Sequence, residues 1–352
     1  MEDRIGAEFE HEKLSVFHDS ETGATGAIAI HSTALGPAMG GLRLHAYAGI
    51  TDAIVDALRL ARAMSFKSAA AGLDLGGGKA VLIDDGGWVE HREGRMRAVG
   101  AAIEDLGGAY ITAEDVGTSP ADMRTIAEVT GHVSGGPAEH GGAGDPSPYT
   151  ARTVFGSLAA AVRIGMRRES LEGVRVGVQG VGHVGGELVA LLTAAGAEVF
   201  LTDIDEARAA AVAAEHGAVA QPLAGFIYGE FEVLAPCALG GAIGLGDVDR
   251  LGAQIVAGGA NNPLAQREVA AALAARGILF VPDFIANSGG IIHVGVEALG
   301  LPQSEVERLI TASIERCEQI LGEAAASGRL PLELAEEMAE ARLRGGRAAQ
   351  PA

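Results

Sequence analysis

Lysine, asparagine and cysteine are the scarce residues of this 352-residue chain. Its 26 basic side chains divide into 23 arginines and only three lysines, Lys13, Lys67 and Lys79. The asparagines are Asn261, Asn262 and Asn287, all in one stretch of the C-terminal half, and the cysteines are Cys237 and Cys317. Two cysteines build neither a disulfide framework nor a metal cluster, so no metal is expected, and they fit a reducing cytoplasm. Positive charge is short overall: 46 acidic residues stand against 26 basic ones, for a formal charge of −20. With no Lys/Arg block to reverse that field locally, nucleic acid and anionic membrane surfaces are excluded as partners. No apolar run reaches the roughly 18 residues of a spanning helix, and Met1-Glu2-Asp3-Arg4 lacks the basic-then-apolar pattern of a signal peptide. A cytoplasmic location is the expectation.

Apolar residues and glycine are abundant, at 48% hydrophobic and 52 Gly. Such a chain can bury a sizeable core, and its length suits two domains at roughly 100–200 residues each. Through about residue 145, short apolar strands such as Ala27-Ile28-Ala29-Ile30 alternate with helix-patterned stretches. From Thr51 to Met64, Ile54, Val55, Leu58 and Ala61 form a helical stripe. Glycine and proline then cluster from Gly135 to Pro148, where neither helix nor strand persists, and the domain boundary with an adjoining cleft is expected there. After a helix over Thr150 to Met166, the pattern repeats as strand, turn, helix. Strands are expected at 174–178, 198–202, 232–235, 254–257 and 278–281, and helices at 185–195 and 206–216. That alternation implies a parallel, doubly wound sheet, so the fold class is α/β. Helices at 304–326 and 332–343 close the chain, with a frayed tail from Gly345 to Ala352.

Gly180-Val181-Gly182-His183-Val184-Gly185 is a G-x-G-x-x-G placed between a strand and a helix, with Asp203 at the end of the next strand. In a chain this rich in glycine the hexapeptide alone is weak, and the context carries the reading. Gly180 serves the tight turn, Gly182 lets a pyrophosphate approach the backbone, Gly185 lets helix pack on strand, and Asp203 accepts from the ribose hydroxyls. The expected cofactor is NAD, because a carboxylate repels a 2′-phosphate and no arginine occurs in Ile204-Asp205-Glu206. The whole hexapeptide belongs to the cofactor-binding set, with His183 as a solvated turn residue within it.

A chain that meets nearly every positive charge with arginine and yet keeps Lys67 and Lys79 in apolar, glycine-rich settings points to a task that guanidinium cannot perform, namely losing a proton. Gly76-Gly77-Gly78 before Lys79 leaves the approach clear for a ligand. Two ammonium groups in one cleft would depress each other's proton affinity, leaving one to bind an anion and the other to act as a base. Glu114 and Asp115 follow an apolar strand, where catalytic groups sit in open α/β sheets.

These features, with Ile30 to Arg43, Thr112 to Thr118, Asp145 to Thr150, Ala235 to Ala238, Gly259 to Asn262 and Pro282 to Gly290, run in order over nearly the whole chain. The sequence resembles the leucine, valine and phenylalanine dehydrogenase group of the glutamate dehydrogenase superfamily; Gly86 to Arg97, with Trp88, carries little of the likeness, which bears on surface and assembly and not on the chemistry. The resemblance implies a substrate-binding and oligomerisation domain over 1–145, an NAD-binding Rossmann domain over 146–326, and residues 327–352 folding back on the first domain. It implies that Lys67 pairs with the substrate carboxylate, that Lys79 is the general base and that Asp115 handles the amine proton. It also implies that Arg43, Thr150, Pro236, Cys237, Ala238, Asn262 and Asn287 contact cofactor or substrate, with Gly40 at the substrate. The pocket walls by the same likeness are Met39, Ala113, Ile291 and Val294, all apolar, and no third lysine remains for a side-chain carboxylate. The implied activity is reversible NAD-dependent oxidative deamination of an aliphatic L-amino acid of leucine or valine size, by a homo-oligomer. Phenylalanine, or another 2-substituted acid such as a 2-hydroxy acid, is the alternative substrate, and a nicotinamide-sensing protein without catalysis is the alternative class.

Overall fold

The computed structural model describes residues 10–136, 142–238 and 240–349, and the chain forms two compact units. The first comprises Met1–Asp145, Ile291–Val306 and Ala339–Ala352, and the second Pro146–Gly290 and Glu307–Met338.

In the first unit, strands β1 (Lys13–His18), β2 (Thr25–Ser32), β3 (Ala38–His45), β4 (Gly76–Ile83) and β5 (Tyr110–Glu114) form one sheet in the order β1-β2-β4-β3-β5. β1, β2 and β4 pair antiparallel, whereas β4, β3 and β5 run parallel. The strands obey the period of two that a pleated backbone imposes. Ile28, Ile30, Leu42, Leu44, Ala80 and Leu82 face helices α2 (Trp88–Glu104) and α3 (Pro120–Ala127) through Trp88, Met96, Val99, Ile103, Met123 and Ile126. The alternate residues Ala27, Ala29 and Val81 face helix α1 (Ile50–Ala71), against Ala53, Ala57, Leu58 and Ala61. This second face is nearly all alanine, so α1 lies close upon it. Gly72, in the left-handed conformation at φ 79°, ends α1 and its N–H bonds back to Ala69 and Ser68. Arg342 from the returning chain end donates to the same two carbonyls at 3.0 and 3.3 Å.

The second unit holds a wholly parallel sheet of β6 (Arg175–Gln179), β7 (Glu198–Thr202), β8 (Val219–Ala220), β9 (Val233–Pro236), β10 (Ile255–Val256) and β11 (Leu279–Phe280). Its order, β11-β10-β9-β6-β7-β8, is that of a doubly wound nucleotide-binding domain, with the strand order reversing between β6 and β9. Its helices are α4 (Ser147–Ala161), α5 (His183–Ala194), α6 (Glu206–His216), α7 (Glu268–Ala275) and α8 (Asp283–Ala286); α9 (Gly289–Ala298), α10 (Ser304–Ser327) and α11 (Pro331–Ala349) pass between the units. Asp205 caps α6 by accepting from the Arg208 N–H at 3.1 Å. Among the described residues no helix is long and apolar enough to cross a membrane.

Several expectations are corrected. The helix expected to stop at Met64 continues to Ala71 and carries Lys67, because Phe66, Ala69, Ala70 and Ala71 extend its buried face. The tail expected to fray from Gly345 is helical to Ala349. The chain returns to the first unit at Ala339, later than residue 327, and Ile291–Val306 belongs to that unit too. Trp88, in the stretch that carries little of the family likeness, is 2% exposed and donates its indole N–H to the Ile83 carbonyl at 2.8 Å.

Close approach of α1 to the sheet makes Gly77 irreplaceable: a Cβ there would lie 2.0 Å from the Ser65 amide nitrogen. Gly77→Ala is expected to destabilise the fold by about 1–3 kcal/mol as an overpacked site, measured by denaturant unfolding.

Candidate active site

Pleat parity places the site residues of the first unit. Lys79 shares the α1 face of β4 with Val81, and Gly41 and Arg43 alternate with the inward Leu42 and Leu44 of β3, so they also lie toward α1. There the Lys79 ammonium donates to Asp115 Oδ2, and Arg43 Nε donates to the same oxygen at 3.1 Å. Arg43 Nη1 reaches Asp56 Oδ2 on α1 at 3.2 Å, and that oxygen also accepts from the Tyr47 hydroxyl at 2.7 Å. Asp115 is itself fixed by its backbone N–H, which donates to Thr118 Oγ1 at 3.0 Å. Gly41 is the floor: a Cβ on it would meet Asp115 Cβ at 2.7 Å and Lys79 Nζ at 3.2 Å.

Burial prevails over the neighbouring charges at Lys79 and yields to them at Asp115. Lys79 is 5% exposed, and desolvation pulls its ammonium below the ordinary lysine value; Asp115 opposes this and Arg43 adds to it. Burial pushes the Asp115 carboxyl up, but the Lys79 and Arg43 cations overcome that and hold it down at about 2. The second cation acting on Lys79 is therefore Arg43, whereas Lys67 had been expected in that part. Lys67 sits half-buried on α1.

Three further expectations change. Gly76, Gly77 and Gly78 do not clear a ligand path: a Cβ would strike Ser32 O at 1.9 Å, Ser65 N at 2.0 Å and the Tyr110 ring at 2.7 Å, so all three serve internal packing. Gly40 is likewise buried, with its carbonyl accepting from Tyr110 Oη at 2.6 Å and its Cα facing Gly78 O. Arg43, expected at the cofactor, has its guanidinium committed to two carboxylates of its own unit.

Of the expected apolar walls, Ala113 and Val294 flank Gly135, from which a Cβ would lie 4.0 and 3.8 Å away. Glu297 fixes that corner by accepting from the Ser134 hydroxyl at 2.5 Å and the Gly135 N–H at 2.9 Å. Met39 and Ile291 are buried in the same unit, at 1% and 5% exposure. Ser134, Glu297 and Asp56 had no motif to announce them; a charge or hydroxyl remote in sequence becomes legible only when the chain is folded.

In the second unit the expected cofactor-binding residues lie at the turn from β6 into α5. Gly180 has φ +93°, and a Cβ on it would lie 2.8 Å from Ala238; a Cβ on Gly185 would lie 1.9 Å from Gly180 O. Those two glycines are demanded by the protein itself. Gly182 is not, because a Cβ there would meet nothing within 4 Å, and it caps the N-terminus of α5 beside a cavity of about 740 Å³ lined by Val181, His183, Glu187 and Arg208. His183 is exposed and Val184 half-buried. Free space over a glycine at a helix N-terminus fits the phosphates of a dinucleotide. Asp203 accepts from the Val181 N–H at 2.8 Å and the Asp205 N–H at 2.9 Å, which leaves carboxylate lone pairs for ribose. Arg208 comes within 3.6 Å of Asp203, so a guanidinium absent from 204–206 does approach, though Asp203 and Asp205 both neutralise it.

At the reversal of strand order, Gln179 pairs with Pro236, the Cys237 N–H donates to Gln179 O at 2.7 Å, and Cys237 Sγ accepts from the Gly259 N–H at 3.4 Å. Burial pushes the Cys237 thiol up to about 11, so it is no nucleophile. Buried Asn287 donates to Gly259 O at 3.2 Å and Asn261 Oδ1 at 2.9 Å, while its own Oδ1 has no partner among the described residues, an acceptor suited to a carboxamide. Thr150 lies against Gly290, and Asn262 is exposed with φ +49° and its N–H on Asp283.

Gly182→Val is expected to leave the melting temperature nearly unchanged, since φ is −67° and the space is open, while NAD affinity measured by fluorescence titration falls at least about tenfold.

The geometry agrees with what the chain is similar to. Residues 11–132 match the model of the Glu/Leu/Phe/Val dehydrogenase dimerisation domain, and residues 200–325 that of glutamate/leucine/phenylalanine/valine dehydrogenase. The leucine dehydrogenase of Thermoactinomyces intermedius is 40% identical over 95% of this chain and 91% of its own. The valine dehydrogenase of Streptomyces coelicolor is 40% identical over 95% of this chain and 92% of its own. The crystal structure of L-tryptophan dehydrogenase from Nostoc punctiforme superposes with a TM-score of 0.83 at 33% identity, covering 97% of this chain and 98% of that one. With a buried lysine–aspartate pair in one unit, a dinucleotide turn in the other, and relatives matched along nearly its full length, the chain belongs to the Glu/Leu/Phe/Val dehydrogenase family of amino acid oxidoreductases.

Proposed function

We propose that the chain catalyses the reversible, NAD-dependent oxidative deamination of a branched-chain aliphatic L-amino acid of leucine or valine type, giving the 2-oxo acid, ammonia and NADH. The observation that carries the reading is the pairing of buried Lys79 with half-buried Asp115, which holds Arg43 as a second cation. NAD, when bound at the β6–α5 turn, supplies the acceptor for the hydride from Cα, leaving an imine on the substrate. Lys67 holds the substrate carboxylate as a fixed ammonium. Lys79, whose ammonium burial has made easier to deprotonate, takes a proton from the water that attacks the imine carbon. Asp115 accepts a hydrogen bond from the substrate nitrogen, and the proton that Lys79 took from water is handed back across Asp115 to that nitrogen, so that the C–N bond breaks and ammonia departs. Lys79 and Asp115 interact so closely that they titrate as a pair: once Lys79 is neutral, one of the two cations holding Asp115 down is gone and its proton affinity rises.

The apolar corner of Ala113, Val294 and Gly135, with Met39 and Ile291, selects by fit, and one methylene in such a pocket is worth about 1–3 kcal/mol. Neighbouring aliphatic substrates therefore leak through. The dimerisation-domain match supports a homo-oligomer, and the paucity of cysteine supports a reducing cytoplasm. Asp203 with its neutralised Arg208 supports NAD over NADP.

Following NADH formation across a panel of L-amino acids and 2-hydroxy acids tests the activity; leucine or valine should lead, and phenylalanine, tryptophan or glutamate outperforming both would overturn the aliphatic assignment. Lys79→Arg preserves charge but cannot accept a proton, so it should lose about 10²–10⁴-fold in kcat, nearly as much as Lys79→Ala. Lys67→Arg should raise KM more than it lowers kcat, as expected for a carboxylate anchor. Because the Lys79 ammonium is pulled below its ordinary value of about 10.4, kcat/KM should rise with pH along a limb centred below that value. The limb should vanish in Lys79→Arg.

A further inference from the structure

We propose that Asp56 and Arg43 are positioning residues, a charge relay from α1 through β3 that sets both the orientation of Asp115 and the proton affinity of Lys79. The inference rests on the reading of Lys79 as base and Asp115 as its partner. Arg43 bridges two carboxylates: Nε on Asp115 Oδ2 at 3.1 Å and Nη1 on Asp56 Oδ2 at 3.2 Å. Asp56 is pinned in turn by the Tyr47 hydroxyl at 2.7 Å and by Arg59 at 2.8 Å. All of Arg43, Asp56 and Asp115 are between 19% and 24% exposed, so the bridge is largely withdrawn from water and is screened far less than a surface pair.

The arrangement solves a problem created by the chemistry. When Lys79 gives up its proton, Asp115 loses its nearest cation, and a lone buried carboxyl would take up a proton and turn. Arg43 cannot lose its proton, so it keeps Asp115 charged and in place through the cycle. Left to itself, a guanidinium would close bidentate on Asp115 and cover both oxygens. Asp56 holds one arm of the fork away, leaving Asp115 Oδ1 for the substrate amine. Charged and titratable groups on the elements packed about Lys79 are Tyr110 and Glu114 on β5 with Asp115 just after it, Arg43 and His45 on β3, Asp52, Asp56, Arg59, Arg62 and Lys67 on α1, and His31 on β2. Of the two that belong to the relay, Arg43 disfavours the Lys79 ammonium and Asp56 favours it.

Those opposite signs give the test. With only three lysines in the chain, selective ¹³C labelling resolves the Lys79 ε-carbon, identified by its loss in Lys79→Arg, and its titration is read directly by NMR. Arg43→Gln should move the Lys79 midpoint upward by about half a pH unit or more, Asp56→Asn should move it downward, and the double variant should return it near the parent. Circular dichroism first confirms that each is folded. In the same variants kcat should fall about tenfold with NAD affinity unchanged, since both residues belong to the ion network of the first unit and the dinucleotide turn to the second. Shifts of one sign, or none, in folded variants overturn the relay, as does a loss of NAD affinity in Arg43→Gln with the Lys79 midpoint unmoved. If the NMR shifts appear but the kcat/KM limb does not follow them, the relay stands and the assignment of Lys79 as the base fails.

Discussion

An ammonium kept dry beside a carboxylate is the constraint on which the first unit is built. A lysine at 5% exposure on an internal strand is expensive to hold charged, and Asp115, with Asp56 behind it, offsets that cost. Dryness requires the covering helix to lie close, and closeness requires small residues on both surfaces. Ala27 and Ala29 on the sheet, Ala53, Ala57 and Ala61 on α1, and glycines at 41 and 77 supply them. The same short distance that excludes water brings Asp56 within reach of Arg43. Packing and electrostatics are here one design: each alanine that tightens the helix also raises the strength of every charge beneath it.

The second unit meets an opposite demand. A chain with net charge −20 must accept a doubly anionic dinucleotide, and it does not do so with a cluster of cations. The β6–α5 turn offers backbone amides at a helix N-terminus instead, in a position where Gly182 alone of the three fingerprint glycines has no internal reason to lack a side chain. Asp203 is shared between structure and recognition. Its two oxygens tie the Val181 and Asp205 amides, which fixes the turn, and what remains of their lone pairs faces outward beside Arg208.

The parallel, doubly wound sheet was legible because strand and helix periods alternate cleanly after residue 170, and the fingerprint was legible because glycine spacing at a strand-to-helix turn is a local property. The mixed sheet of the first unit was not. Its antiparallel β1 and β2 and its crossover from β3 to β4 depend on pairings far apart in sequence, and local periodicity carries no register. The glycine run before Lys79 was misread for a related reason: glycine's absence of a side chain says that something comes close, and only the neighbours Ser32, Ser65 and Tyr110 say that the something is protein.

By itself the sequence determined the chemistry available: an arginine-rich, lysine-poor chain with Lys67 and Lys79 held back, an acid pair at Glu114 and Asp115, and a nucleotide turn ending in Asp203. These are local signals of composition and spacing, fixed by covalent order. Tertiary structure alone decided which charges act on which. Lys67 looked like the group to lower the proton affinity of Lys79, and the fold gave that part to Arg43, which shares an oxygen of Asp115 with it. Nothing in Gly41-Leu42-Arg43 or in Asp56 marks them for this, because Coulomb interaction depends on distance and dielectric, and both are set by how closely α1 settles on the sheet.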